Sequence, residues 1–140
     1  MSFDTLSDVN YLAALVAALA WFALGAIWYA PPVLGRAWIR AGGTGMPEGF
    51  RPNPAIFVAT LVLYFVTAVA AAMFAKATGS TTFGDGVVLG LVAAVGFVVT
   101  TIAIEALYGR RPQPIAWFAI NGAVNLLGVL IVAVIVTVWD

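Results

Sequence analysis

The sequence contains no cysteine and no histidine, and charged residues make up only 9% of its 140 positions. Without these side chains the protein cannot build a zinc–thiolate site, a cysteine nucleophile or an imidazole proton relay. The six basic and six acidic residues balance, which removes the electrostatic argument for nucleic acid as a partner. We therefore expect a protein that is not an enzyme, with no catalytic residues, no cofactor and no metal site.

Apolar residues, by contrast, make up 64% of the chain. They form four stretches, separated by charged residues and by proline or glycine clusters, at about residues 10–30, 55–75, 86–108 and 114–139. Each is near the roughly 20 residues that a helix needs to cross a bilayer, and each is apolar around its whole circumference. The sequence therefore predicts an all-α integral membrane bundle of four transmembrane helices, forming one domain over residues 1–140.

The first stretch also resembles a secretory signal, because Ala18-Leu19-Ala20 has the pattern of a cleavage site. Such signals begin with a basic leader. This chain begins instead with Asp4 and Asp8, and no Lys or Arg precedes Arg36. We therefore expect the first helix to remain uncleaved.

Basic residues are distributed unevenly over the connecting segments. The first and third connections, which share a side in a four-span protein, carry the arginines Arg36, Arg40, Arg51, Arg110 and Arg111, and the other side carries Lys76. Because basic residues in short loops mark the cytoplasmic side, we expect a multi-pass protein of the cell's inner (plasma) membrane with both termini outside the cytoplasm. Aromatic residues typical of membrane interfaces agree: Trp28, Tyr29, Trp38, Tyr108 and Trp117 on the arginine side, and Trp139 on the other.

The first connection contains an amphipathic segment at residues 33–41. Its apolar residues recur at helical spacing, while Arg36 and Arg40 lie four apart on the opposite side. This pattern predicts a short helix in the headgroup plane, with its arginines on lipid phosphates. The simpler interpretation is that these arginines only set the orientation of the protein.

Small residues form a stripe along the third span. Gly86 and Gly90 make a GxxxG motif that Ala94 continues on the same face. Such stripes let helices approach closely in lipid. We expect this one to pack within the bundle, because four helices must first pack with each other; a dimer face is the alternative.

Polar residues inside the apolar stretches indicate where function would reside. Thr101 and Glu105 lie on the third span, and Asn121 and Asn125 lie four apart on the fourth. Folding these spans into a hairpin places the four side chains along one polar strip from the arginine side towards mid-membrane. The strip has two interpretations: a structural one, in which the asparagines bond to other helices and Glu105 pairs with an arginine, and a functional one, in which the strip lines a path for a cation or proton.

Several segments resemble the DUF1761 family of bacterial membrane proteins, a domain of unknown function. The most specific is Gly-Ala-Ile-Trp-Tyr-Ala-Pro at residues 25–31, followed by Leu-Gly-Arg-Ala-Trp at residues 34–38. These segments are similar to the family's Gly-x-x-Trp-Tyr-Ser-Pro stretch and the aromatic-Gly-basic-x-Trp stretch after it. Asn10, the Gly-Arg-Arg-Pro turn at residues 109–112 and Ile-Asn-Gly at residues 120–122 also match.

The resemblance implies a compact four-helix membrane domain and supplies no activity. The chain departs from the family at Ala30, where serine is common, and at Asn125, where members often have histidine. Trp28, Tyr29 and Trp38 with Arg36 could form an aromatic wall for a lipid headgroup, although membrane anchoring also explains these residues.

Two functions are compatible with these features. The first is a non-enzymatic protein that acts by association, as a homo-oligomer or as an accessory subunit of a membrane-protein complex, in contact with membrane lipids. It is favoured by the small-residue faces and by the scarcity of polar sequence outside the spans. The alternative is a small transporter, channel or lipid-binding protein that uses the polar strip through Glu105, Asn121 and Asn125.

Overall fold

The computed structural model describes residues 2–42 and 53–139, and these ranges are helical apart from short connections. Four helices are long and apolar enough to cross a membrane: α1 (Tyr11–Trp28), α3 (Pro54–Thr78), α4 (Phe83–Tyr108) and α5 (Pro114–Val138). A short helix, α2 (Arg36–Gly42), follows α1. The predicted all-α fold with four spans is confirmed, and the chain is a multi-pass membrane protein.

The helices begin where the sequence supplies a cap. The Oδ1 atom of Asn10 accepts a hydrogen bond from the Ala13 N–H at 3.0 Å, which satisfies a backbone donor that has no partner within the helix. At the start of α4, Thr82 and Asp85 form a reciprocal capping box. This box explains why α4 begins at Phe83, earlier than the predicted start near residue 86: the Asp85 carboxylate belongs to the first turn and does not end the span.

The chain leaves α1 through a wide turn. Pro31–Gly35 forms a single π-helical turn in which the Gly35 N–H donates to the Ala30 carbonyl at 3.1 Å. A Cβ atom on Gly35 would collide with the carbonyl oxygen of Tyr29, so only glycine fits here. The predicted amphipathic segment is thus part turn and part helix, with Arg36 and Arg40 exposed on α2. Its depth relative to lipid headgroups stays a prediction.

Helix α5 lies at the centre of the bundle. It packs along α4 on one side and against α1 and α3 on the other, while α3 and α4 scarcely touch. In the most apolar 18-residue window of each span, 39% of the residues of α5 are buried but only 11% of those of α3 and of α4. The outer side of α4 is therefore left uncovered by the described residues.

The glycine stripe of α4 faces α5. A Cβ atom on Gly86 would lie 2.8 Å from Cα of Val134, and one on Gly90 would lie 2.9 Å from Cα of Leu130. Ala94 continues this face and is fully buried. The absence of side chains lets the two backbones approach directly, which maximises van der Waals contact where lipid supplies no hydrophobic driving force. Within this chain, the stripe packs inside the bundle.

A second close contact joins α1 to α5. The Trp21 ring stacks on the Tyr64 ring of α3, with centroids 3.9 Å apart and planes at 12°. The Nε1 edge of Trp21 lies against Gly128, where a Cβ atom would overlap the indole. Ala17 and Ala68 are fully buried beside this contact. The large Trp21 ring thus fills the centre of the core, and small residues surround it.

Hydrogen bonds close both ends of the bundle. At one end, Nδ2 of Asn10 donates to the Trp139 carbonyl at 2.8 Å, which joins the start of α1 to the end of α5. At the other, the Gln113 N–H donates to the Ala41 carbonyl at 3.3 Å, which places α2 beside the α4–α5 turn. We call the second end, formed by α2, the last turns of α1 and α4, and the first turns of α5, the arginine end.

Candidate functional site at the arginine end

Two neighbouring aromatic residues tie the end of α1 to α5. Trp28 donates its Nε1–H to the backbone carbonyl of Ile120 at 3.1 Å, and Tyr29 donates its hydroxyl to Oδ1 of Asn121 at 2.6 Å. Both bonds are partly buried, so water competes with them little. The family-like Trp-Tyr pair is thereby used to fix the position of α1 on α5.

Asn121 and Asn125 otherwise bond to their own helix. Nδ2 of Asn121 donates to the Trp117 carbonyl, and Nδ2 of Asn125 donates to the Asn121 carbonyl, each at 2.8 Å. Bonding to the carbonyl one turn back satisfies a polar side chain without any partner helix. Among the described residues, Tyr29 is the one that reaches these amides from another helix.

Arg111 folds back over the start of α5 and is held on two sides. Its guanidinium carbon lies 3.5 Å from the centre of the Trp117 ring, a cation–π contact. Its Nη2 donates to Oε1 of Glu105 at 2.7 Å. The Glu105 side chain is 59% exposed and that of Arg111 is 20% exposed. A pair this exposed contributes at most about 1 kcal/mol, so its main effect is to orient the guanidinium.

The α4–α5 turn makes room for this arrangement. A Cβ atom on Gly109 would lie 2.7 Å from the Glu105 carbonyl oxygen and 3.0 Å from Nε of Arg111. The next residue, Arg110, has φ at 36°, in the left-handed region that non-glycine residues seldom adopt. The Gly-Arg-Arg turn is therefore shaped so that one arginine turns inward while the other stays exposed.

A small cluster of apolar side chains joins α2 to the α4–α5 turn. Buried Ala41, Ala106 and Trp117 form its centre, and Trp38 packs against them. Trp38 also meets Tyr29 edge to face, with ring centroids 5.3 Å apart. We call these five residues the tryptophan cluster. It gathers side chains from four different segments, so the arginine end is a defined structure and not a set of separate loops.

Two donors in and beside the tryptophan cluster lack partners. Nε1 of Trp38 and Nε of Arg111 are buried and donate to no oxygen atom within the described part of the chain. A buried donor left unsatisfied costs about 1–3 kcal/mol. Donors without acceptors match an anionic, oxygen-rich group, and they do not match a cation.

The four residues of the predicted polar strip fall into two groups. Asn121 and Asn125 are half-buried on α5, whereas Thr101 and Glu105 are exposed on α4. Thr101 donates to the Phe97 carbonyl of its own helix at 2.6 Å, and Glu105 makes the ion pair already described. Within residues 2–42 and 53–139 no hydrogen bond joins the two groups. Their contacts are separate and do not form one continuous strip.

The residues predicted to meet headgroups differ in what they contact. Arg36, Arg40 and Arg110 are exposed and form no ion pair within the described residues, and Arg51 lies outside those residues. Trp28 and Tyr29 direct their polar atoms at α5, as described above. Two of the three rings expected to form the aromatic wall with Arg36 therefore bond to protein, whereas Nε1 of Trp38 has no partner among the described residues.

Other possible binding features have a different character. A groove of about 500 Å3 lies on the outer side of α1 and α3, and its almost wholly apolar lining consists of Tyr11, Leu12, Leu15, Leu61, Val62 and Phe65. Such a surface suits hydrocarbon. In the described ranges, no group of three or more His, Cys, Asp or Glu side chains is placed to hold a metal ion.

Sequence reasoning missed the roles of Gly109 and Trp117 as supports for Arg111. The sequence of the turn contained the signal. Two arginines follow a glycine there, and an aromatic residue lies in the first turn of the next helix, so one arginine can fold back onto that ring. The sequence interpretation gave these arginines three roles, in setting orientation, in binding lipid headgroups and in pairing with Glu105, and did not include stacking on Trp117.

Comparison with known proteins identifies a family for the chain. The DUF1761 family model, described as a protein of unknown function, matches residues 12–137. The match runs from the start of α1 to the end of α5 and includes the Trp28-Tyr29 pair and the Gly-Arg-Arg turn. No curated protein and no solved structure is significantly similar to the chain. The chain belongs to the DUF1761 family.

Proposed function

We propose that this protein acts without catalysis, by associating in the membrane with a second copy of itself through one side of α4. The observation that carries the proposal is a row of small and polar residues there. Gly96, Thr100, Thr101 and Glu105 are all exposed in the single chain. We call these four residues the outer face of α4.

Charged groups in a transmembrane helix normally face protein or a water-filled cavity. Thr100 and Thr101 bond to carbonyls of their own helix, so the need for a partner comes from the exposed carboxylate of Glu105 and the open surface at Gly96. Gly96 and Thr100 also have the four-residue spacing at which small side chains admit a second helix. A Cβ atom on Gly96 would meet no atom within 4 Å. The notch at Gly96 is thus open, whereas the one formed by Gly86 and Gly90 is filled by α5.

The shape of α4 supports the same interface. Its middle section, Ala94–Val99, is π-helical, a local widening that is frequent at functional sites. Gly96 lies within this section. Since α4 packs almost entirely against α5, a second copy of α4 could pack on its other side without displacing any contact within the chain.

Transport along the polar strip has less support. The asparagine amides are satisfied within α5 and by Tyr29, and Thr101 bonds to its own backbone. The 500 Å3 groove is apolar and does not include these residues. Four helices of this size also enclose little space. A change of Glu105 to Gln that abolished flux in reconstituted vesicles would nevertheless favour transport over association.

The absence of enzyme activity is part of the proposal and rests on composition, namely the lack of cysteine and histidine. The orientation is proposed on the basic residues, with the arginine end in the cytoplasm of a cell whose plasma (inner) membrane holds the protein. Two copies that insert in the same orientation place their outer faces of α4 at the same depth in the membrane. The isologous contact of a symmetric dimer requires this.

The test is the oligomeric state of the purified protein in lipid nanodiscs, measured by native mass spectrometry and by single-molecule photobleaching. We expect dimers. Gly96→Leu places a bulky side chain in the open notch and should raise the dimer dissociation constant about tenfold or more, equivalent to about 1.4 kcal/mol. Ala70→Leu is the matched control, because Ala70 is exposed on α3, away from this interface.

Two results would contradict the proposal. One is a protein that stays monomeric at every protein-to-lipid ratio. The other is a dimer that Gly96→Leu and Ala70→Leu weaken equally, which would place the contact elsewhere. If native mass spectrometry instead finds a different membrane protein bound in place of a second copy, the accessory-subunit alternative replaces the homodimer.

A further inference from the structure

We infer that the arginine end binds the phosphate of one anionic phospholipid, with Arg111 as the residue positioned to hold it. This site lies at the α4–α5 turn and shares one residue, Glu105, with the outer face of α4; its other residues lie outside the proposed dimer contact.

Arg111 is oriented before any ligand arrives. The Trp117 ring supports one flat side of the guanidinium at 3.5 Å, and Glu105 holds Nη2. The other terminal nitrogen, Nη1, has no such partner among the described residues. A guanidinium fixed in this way loses little side-chain entropy when it bonds to a phosphate oxygen, and its planar donors match the phosphate geometry.

The donors around Arg111 are not balanced by acceptors. Nε of Arg111 itself and Nε1 of Trp38 are both buried and unpartnered. Trp38 packs on the cluster that contains Trp117, so both donors belong to one small region. Because both atoms are shielded from solvent, a phosphate oxygen reaches them only after a side chain shifts; without such a shift their N–H dipoles add positive potential near the terminal nitrogens of Arg111.

The surrounding charge is positive. The bond from Gln113 to the Ala41 carbonyl brings the end of α2 beside the α4–α5 turn. Arg40 and Arg110 therefore flank the same region, and both are exposed without an ion pair among the described residues. Among the described residues, Glu105 supplies the one carboxylate beside Arg111 and these flanking arginines. Basic side chains at a membrane surface attract anionic lipid by about 1 kcal/mol each.

The apolar surface beside the site indicates a lipid and not a soluble phosphate. Leu107 is 81% exposed, Tyr108 83% and Ile115 83%, and all three lie within four positions of Glu105 or Arg111 in the sequence. These side chains would hold acyl chains while Arg111 holds the phosphate above them. A free phosphate ion would leave this surface unused.

The experiment measures lipid binding to the detergent-solubilised full chain by native mass spectrometry. Dioleoyl phosphatidylglycerol and dioleoyl phosphatidylcholine are titrated in parallel, and inorganic phosphate is tested separately by thermal stabilisation. We expect one phosphatidylglycerol to bind about tenfold more tightly than phosphatidylcholine, the ratio that corresponds to about 1.4 kcal/mol. Inorganic phosphate should give no stabilisation at the same concentration.

Three variants locate the site. Arg111→Lys keeps the charge but loses the flat, stacked guanidinium, so it should remove most of the preference for phosphatidylglycerol. The double change Arg40→Gln with Arg110→Gln should weaken phosphatidylglycerol binding and leave the tryptophan cluster folded. An unchanged tryptophan fluorescence spectrum would show that the cluster is intact. Lys76→Gln removes a positive charge at the opposite end and should leave lipid binding unchanged.

The inference is overturned by any of the following results: equal binding of the two lipids, loss of preference with Lys76→Gln to the same extent as with the arginine variants, or full preference in Arg111→Lys. Strong stabilisation by inorganic phosphate alone would also overturn it, because the ligand would then be a soluble anion. A dimer that forms normally while lipid preference is lost would separate this site from the proposed association.

Discussion

The hydroxyl of Tyr29 lies 2.6 Å from Oδ1 of Asn121, and this hydrogen bond joins residues 92 positions apart in the sequence. It connects the first residue after α1 to the second turn of α5. Next to it, Trp28 bonds to the backbone of the same turn. The pair sets the rotation of α1 against α5 at the arginine end, as Asn10 does at the opposite end through its bond to Trp139.

Tyr29→Phe should destabilise the protein by about 1 kcal/mol, the typical value for a single interhelical hydrogen bond in a membrane. The change removes the donor and leaves the Asn121 oxygen unpaired. Unfolding in mixed micelles, followed by circular dichroism, measures the loss. Tyr108→Phe is the control, because Tyr108 is 83% exposed.

A double-mutant cycle with Asn121→Ala tests whether the effect belongs to this bond. The coupling energy between Tyr29→Phe and Asn121→Ala should be about 0.5–1.5 kcal/mol, the range expected for residues in contact. Strict additivity of the two changes would show that the bond contributes nothing and that the hydroxyl acts elsewhere.

Gly128→Ala should prevent correct folding. The new Cβ would overlap the Trp21 indole, and Trp21 is 4% exposed and stacked on Tyr64, so it has no free space to move into. Overpacking of this kind costs about 1–3 kcal/mol or more. The yield of monodisperse protein after size-exclusion chromatography reports the effect.

Two further variants show whether the effect of Gly128→Ala comes from its contact with Trp21. Gly122→Ala on the same helix should be tolerated, since its Cβ would make only an ordinary contact, 3.5 Å from the Phe118 ring. Trp21→Leu combined with Gly128→Ala should recover folded protein, because the smaller side chain leaves space for the methyl group. Failure of the combination to recover any yield would mean that Gly128 is required for its backbone and not for this contact.

Glu105→Gln should lower stability only slightly, by about 0.5 kcal/mol, because exposed ion pairs contribute little. The Glu105 side chain is 59% exposed, and the Trp117 ring still supports Arg111 after the change. The difference from the unmodified protein should shrink at high salt, which screens the pair. Thermal unfolding at low and high salt measures both effects, and a loss above about 2 kcal/mol would mean that Glu105 is buried by an additional partner.

The absence of cysteine makes the orientation directly testable. Single cysteines at Thr81 and at Gln113, both exposed and near opposite ends of the bundle, would each be the only thiol in the protein. In intact cells, a membrane-impermeant maleimide should label Thr81→Cys readily and Gln113→Cys only after permeabilisation. The reverse pattern would invert the proposed orientation, and the arginines would then lie outside the cytoplasm.

Sequence reasoning was sufficient for the number of helices that are long and apolar enough to cross a membrane. Length and continuous hydropathy decide this number, and both are local properties. It placed the start of the third span too late because Asp85 was treated as a boundary, although a carboxylate in the first turn of a helix is stabilised by the free N–H groups and by the helix dipole. Asp85 lies within the first turn of the helix because it forms a capping box with Thr82.

The arrangement of the helices could not be derived in the same way. Apolar spans have no polar face to show which side points inward, so the central position of α5 and the exposure of Thr101 depend on packing that no local pattern encodes. The polar strip was inferred from depth along a hairpin, which ignores rotation about each helix axis. Depth alone could not show that Asn121 turns towards Tyr29 while Glu105 turns outward.

The central position of α5 has a consequence for biosynthesis. This helix follows the other three spans in the chain, yet each of them packs against it. During synthesis, α4 therefore enters the bilayer before its main partner exists, and the backbone notch at Gly86 and Gly90 faces lipid until α5 arrives. Helices α1 and α3 can already pack on each other at that stage, through the stacked rings of Trp21 and Tyr64. A nascent protein arrested before α5 would therefore present the membrane's quality-control proteases with an unassembled α4 beside a partly assembled pair.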